Sequence, residues 1–173
     1  MAERTRALTV SAALTALAVV FLYLASVLPT GQVGAAAVSS LFTAAAIIEA
    51  GAGWAAGVFA VSCVLGAVIV PNRLPVLLYA LFLGYYPIVK CFAERVKLKT
   101  ARWAVKLAVF NAALAVIWLA FREMLLGAAN IDLGAVPVFL AGNAVFVLFD
   151  IGLTRLIGLY IRRIAGRRTA PRR

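Results

Sequence analysis

The chain has 173 residues, of which 65% are apolar and 13% charged, and its mean hydropathy is +1.05. A soluble core of this size cannot hide so much apolar surface, which excludes an ordinary globular domain and makes a lipid bilayer the natural solvent. The formal charge is +11, from 17 basic and six acidic residues; in a soluble protein this would suggest nucleic acid, but here the basic residues gather at the ends of apolar runs, which points to membrane topology and to anionic lipid at the cytoplasmic face, with no nucleic-acid partner.

A spanning helix needs roughly 20 apolar residues, so punctuation of the long runs defines the predicted elements. The first span covers residues 7–28 and stops at Pro29-Thr30-Gly31-Gln32. It is too long for a signal-peptide apolar region of about 7–15 residues, although Arg4 and Arg6 precede it. The run from Val33 to Val70 exceeds one span and must bend, and Glu49 with Gly51 and Gly53 marks the bend. This gives spans at 33–50 and 54–70. Pro71-Asn72-Arg73 closes the third. The fourth covers 74–92, with Pro75 in its first turn, where a missing N–H costs little. Gly84, Tyr85, Tyr86 and Pro87 predict a kink in it. A basic connector, Glu94 to Arg102, leads to a fifth span at 103–121. The connector Arg122 to Gly134 carries Glu123, Asn130 and Asp132, and the sixth span covers 135–161. The basic tail, 166–173, is expected to be disordered.

Placing the N-terminus inside puts 15 of the 17 basic residues on the inner side and only Arg73 and Arg122 outside. An odd number of spans would put one basic cluster outside, so the Lys/Arg asymmetry selects six spans with both termini cytoplasmic. The expected fold class is therefore an all-α membrane protein, a six-transmembrane-helix bundle filling residues 1–165.

Candidate functional residues follow from residue type and depth. Ala12 and Ala16 in the first span, and Gly53 and Gly57 in the third, recur four apart and so share a helix face. Small residues so spaced let another helix approach closely, either inside the bundle or on a partner membrane protein. Intramembrane charges are costly and face protein. Lys90 and Glu94, four apart, can pair at the inner end of span four. Asp150 needs a partner, with Arg155, Lys106 and Lys90 as candidates, and the site is either an interhelical salt bridge or a coupling group. Glu49, at the bend, is either a solvated group or an interaction residue. Asn111 and Asn143 are expected to hydrogen-bond between helices. On the outer side, Asn72, Arg73, Tyr79, Trp118, Arg122 and Asn143 are the polar and aromatic candidates for binding a small molecule. Cys63 and Cys91 read as thiols at different depths. The chain has no histidine and no nucleophile–base pair, phosphate loop or metal-ligand spacing, so neither an enzyme, a cofactor nor a metal site is expected.

The stretches Pro71-Asn72-Arg73-Leu74, Tyr85-Tyr86-Pro87-Ile88-Val89-Lys90 with Glu94-Arg95, and Phe149-Asp150 through Arg163, together with the early Ala12-x-x-x-Ala16, carry a resemblance. The chain resembles the S components of energy-coupling factor (ECF) transporters, the small substrate-binding membrane subunits of ABC importers, and within them an uncharacterised bacterial group. The resemblance implies residence in the bacterial cytoplasmic membrane and an outward pocket for an unknown small molecule. It also implies docking through the early spans, at Ala12 and Ala16, onto a membrane coupling subunit driven by cytoplasmic ATPases. No vitamin-pocket motif of the known members is present, and the lack of histidine argues against the nickel and cobalt branch. The wider fold also includes non-transporting envelope scaffolds such as the rod-shape membrane protein D, which is the alternative reading, beside an autonomous small transporter.

Overall fold

In the computed structural model, backbone is described for residues 2–129 and 134–162, and side-chain surroundings for residues 3–120 and 134–162. The described residues are almost wholly helical: α1 (Ala2–Val27), α2 (Gln32–Ala50), α3 (Ala52–Ile69), α4 (Arg73–Leu78), a π-helical turn (Tyr79–Leu83), α5 (Tyr86–Ala93), α6 (Lys99–Ala129) and α7 (Ala135–Tyr160). α4, the π turn and α5 make one span, so among the described residues six helices are long and apolar enough to cross a bilayer. The protein is a multi-pass α-helical membrane protein. Its exterior agrees, since Val68 is 76% exposed and Leu119 84% exposed, which only a lipid environment tolerates at such density.

The six apolar helices overlap the expected spans but have different ends. α1 begins ahead of residue 7, and α6 is longer at both ends than the expected 103–121. The connector after α5 is therefore shorter than the expected Glu94 to Arg102, because Lys99 and Arg102 already belong to α6. Lysine and arginine are good helix formers, so charge marks the edge of the apolar slab without ending the helix. The connector Arg122 to Gly134 is likewise corrected, since α6 continues to Ala129. Asn130 and Asp132, the side chain of Glu123 and the tail 166–173 lie outside the described residues.

Two compact units divide the chain, one of residues 1–88 with 151–173 and the other Val89–Asp150. In the first, α1, α2 and α3 pack against one another, and α4 packs on all three. The bend between α2 and α3 is a single residue. Gly51 has φ +95° and ψ 169°, a region essentially closed to other residues, and its N–H donates to the carbonyls of Ala46 and Ile47 at 3.1 Å each. Gly53, expected to share the bend, lies inside α3. Ala46, Ala55 and Val58 form a buried cluster beside that bend, with Leu14, Ile47 and Ile88 against it. Alanine at these positions lets the helices lie close.

The kink expected at Gly84 and Pro87 has a more specific form. The Gly84 N–H donates to the Tyr79 carbonyl at 2.7 Å, an i→i+5 bond that adds one residue to the turn. Pro87 has no N–H to offer Leu83, so the ladder stops at Gly84 and Tyr85 before α5 resumes. The bulge places Tyr79 inside, fully buried, where its hydroxyl and that of Thr43 from α2 share a 3.0 Å hydrogen bond. Phe59 of α3 lies 5.9 Å, ring to ring, from both Tyr79 and Tyr85. Glycine at 84 is required by this packing: a Cβ there would stand 2.6 Å from Phe59 Cδ2 and 2.7 Å from Tyr79 Cε1. Gly84→Ala is expected to cost about 1–3 kcal/mol by overpacking. Gly34→Ala, in open helix, should be neutral or stabilising by a few tenths. Unfolding in detergent, followed by circular dichroism, compares them; equal stability of the two would contradict this packing.

The second unit contains the end of α5, α6 and the first part of α7. Phe110 and Phe146 stack at 4.6 Å with an 11° interplanar angle. Gly142 lets α7 approach α6, since a Cβ there would meet Leu114 Cδ2 at 3.0 Å. Asn111 and Asn143 hydrogen-bond reciprocally, amide to carbonyl, at 3.0 Å in both directions. This is the interhelical pairing that two asparagines in apolar spans require. Each also donates to its own helix, to the carbonyls of Leu107 and Phe139.

Candidate functional site

The second unit holds a buried charge cluster. Lys90 of α5, Lys106 of α6 and Asp150 of α7 converge, with side-chain exposures of 3%, 8% and 5%. The Lys90 ammonium donates to Asp150 Oδ1. The Lys106 ammonium donates to both Asp150 oxygens, at 3.2 and 3.1 Å. Glu94, one turn beyond Lys90, completes the group: its Oε1 lies 3.2 Å from Lys90 Nζ and 3.5 Å from Lys106 Nζ. Two ammonium groups thus share two carboxylates, and the cluster is neutral as a whole. A charge so far from water persists only when paired and hydrogen-bonded on all sides. Of the three expected partners of Asp150, the structure selects Lys90 and Lys106. Arg155 is exposed and forms no ion pair among the described residues. The reason is helical: five residues at about 100° each place it well around the helix from Asp150.

In the first unit the carboxylate of Glu49 is not a solvated group. Its side chain is largely buried, accepts a hydrogen bond from the Tyr160 hydroxyl at 3.1 Å and lies 3.6 Å from the Arg6 guanidinium. Glu49 therefore ties the end of α2 to α7 and α1. Neither Arg6 nor Tyr160 carries a sequence signal for this contact.

The small residues lie on the outside. Ala12, Ala16, Gly53 and Gly57 are all exposed, and a Cβ built on either glycine would meet nothing within 4 Å. Of the two uses open to them, internal packing is not the one found in this chain. The positions that do pack α1 inward are Ala18, Leu22 and Ala25, each fully buried.

The candidate ligand residues are distributed differently. In the first unit, the Asn72 side-chain oxygen caps α4, accepting from the Leu74 N–H at 3.0 Å, and its amide donates to Gln32 Oε1 at 3.3 Å. Arg73 is exposed, and Tyr79 is buried against Thr43. In the second unit, Asn143 is committed to Asn111 and Trp118 is half-buried. The side chain of Arg122 lies outside the described residues. Two clefts are prominent, and none of the five described candidates lines either. The larger, about 450 Å³, is apolar and lies between α2 and the end of α7, at Leu41, Ala45, Ile48, Leu156, Ile157 and Tyr160 among others. The smaller, about 180 Å³, lies at the start of α6 beside the charge cluster. Cys63 and Cys91 are free, half-buried thiols.

Fold and site together define a multi-pass α-helical membrane protein with a buried, self-neutralising charge cluster and open small-residue positions on its first and third helices. No family model matches the chain, and neither a curated protein nor a solved structure matches it.

Proposed function

We propose that this protein is the substrate-capture subunit of an ECF-type importer, seated in the bacterial cytoplasmic membrane with both termini inside, and that it docks onto a membrane coupling subunit through α1 and α3. The observation that carries the reading is the exposure of Ala12, Ala16, Gly53 and Gly57 on two helices that pack against each other. Side chains this small leave the helix backbone accessible, and a partner helix gains close van der Waals contact that lipid does not supply as well. In such a cycle the chain itself binds no ATP. Ligand is taken up on the outer side, the coupling subunit tips the docked chain as its ATPases turn over, and the ligand leaves inside.

A specific observation favours a second reading, a non-transporting scaffold of the cell envelope. Asn72, Tyr79 and Asn143 spend their polar groups on internal hydrogen bonds, and none of the three lines either of the two clefts described above. Native mass spectrometry of gently purified protein separates the two. Capture predicts a retained small molecule and, in the same preparation, a coupling subunit with its ATPases. Stable association with envelope proteins and no retained small molecule would replace capture by the scaffold.

A further inference from the structure

The start of α6 carries cations that the buried cluster does not use. The 180 Å³ cleft there is lined by Glu94, Lys99, Arg102, Trp103 and Lys106. Glu94 and Lys106 already belong to the neutral cluster with Lys90 and Asp150. Lys99 and Arg102 therefore bring two uncompensated positive charges to the cleft, and among the described residues neither side chain has an ion-pair partner. Lys99 is exposed and Arg102 half-buried, while Lys106 is held from behind, its ammonium 5.5 Å from the centroid of the Trp103 ring. Trp103 itself is 39% exposed. It lies near the beginning of a span that starts at Lys99, where an amphipathic indole sits at headgroup depth.

We propose that this cleft binds a phosphate group, carried by an anionic lipid headgroup or by free phosphate, between Lys99 and Arg102, with Trp103 as its wall. Arginine offers a planar fork of donors that matches phosphate oxygens, and Lys99 adds a point charge. At about 180 Å³ the cleft has room for a group of phosphate size. Its net charge matches one or two negative charges, whereas a zwitterionic headgroup would bring a cation into a site that already has an excess. The site is independent of docking through α1 and α3 and goes beyond it.

The test uses the full chain in detergent with equal amounts of phosphatidylglycerol and phosphatidylcholine, read by native mass spectrometry as retained lipid. Wild type should retain phosphatidylglycerol in preference, by about tenfold or more, given the attraction of each basic residue near the surface. Lys99→Gln with Arg102→Gln should abolish the preference. Arg95→Gln with Lys97→Gln removes the same charge from the neighbouring connector and should leave it intact. Displacement of phosphatidylglycerol by millimolar inorganic phosphate, or phosphate binding without lipid preference, would support the site and assign free phosphate as an occupant. The proposal is overturned if the cleft variant keeps the wild-type preference, if both double variants lose it equally, or if wild type binds neither probe selectively. All four substituted residues lie outside the core, and far-UV circular dichroism checks that helix content is unchanged.

Discussion

Asp150→Leu should destabilise the protein by about 3–5 kcal/mol, the cost of breaking a buried ion pair from one side. The aspartate is the meeting point of the cluster, and both Lys90 and Lys106 bond to it. Without it, two ammonium groups with side-chain exposures of 3% and 8% must share Glu94, whose own side chain is 45% exposed. Water screens that carboxylate, so its compensation is weak. Asp150→Asn keeps an acceptor but loses the charge and should fall between leucine and wild type. Lys90→Met with Lys106→Met and Asp150→Leu removes the whole interior part of the cluster. Replacing a complete buried ion group by apolar side chains of similar size is close to neutral or even stabilising, so the triple variant should recover most of the loss. Unfolding in mixed detergent micelles measures all three. Wild-type stability in Asp150→Leu would remove the structural role from the cluster. A triple variant that is stable yet inactive in an uptake assay would instead give it a coupling role, the other reading open to an intramembrane aspartate.

The parts legible in the sequence were those that depend on local chain chemistry. The first four apolar runs were visible because Pro29-Thr30-Gly31, Gly51 and Pro71-Asn72 interrupt them with residues that break or turn helices, and the last two because the charged connectors Glu94 to Arg102 and Arg122 to Gly134 set them off. A bend near Gly51 and interhelical bonding by Asn111 and Asn143 followed from residue type, while the single-residue form of the bend and the pairing of the two asparagines with each other needed the structure. The π turn at Tyr79–Leu83 was not legible. It depends on Phe59 arriving from α3 to fill the space beside Gly84, and a pattern of apolar residues is the same for an α or a π turn. The partners of Asp150 were half legible: depth demanded a cation, but only the packing of three helices chose Lys90 and Lys106 over Arg155. For the small residues, spacing placed Ala12 with Ala16 and Gly53 with Gly57 on shared faces, while the direction of those faces needed the structure. The candidate ligand residues stand out in the sequence by polarity and depth. Polarity in an apolar span is equally well used in capping α4, as Asn72 does, or in joining α6 to α7, as Asn143 does. The cleft at the start of α6 is hidden in the sequence because Lys99 and Arg102 read there as connector, whereas the helix begins at Lys99.

Docking through α1 is the central claim, and its most direct test is Ala12→Trp with Ala16→Trp. Both alanines are exposed, so two indoles there should leave folding intact while holding a partner helix several ångströms away. Close approach is what small residues supply in a membrane interface, and bulk at two positions one turn apart removes it. Leu119→Trp, on the 84% exposed residue of α6, adds the same aromatic bulk elsewhere and serves as the control. Each variant is co-expressed with the tagged coupling subunit and ATPases of its own host and purified through that tag. The expected result is a fall in co-purification of about tenfold or more for the α1 variant, with wild-type recovery for the control and unchanged thermal unfolding for both. Recovery of the α1 variant at the wild-type level, or no recovery of the wild-type chain with the coupling subunit, would contradict the account.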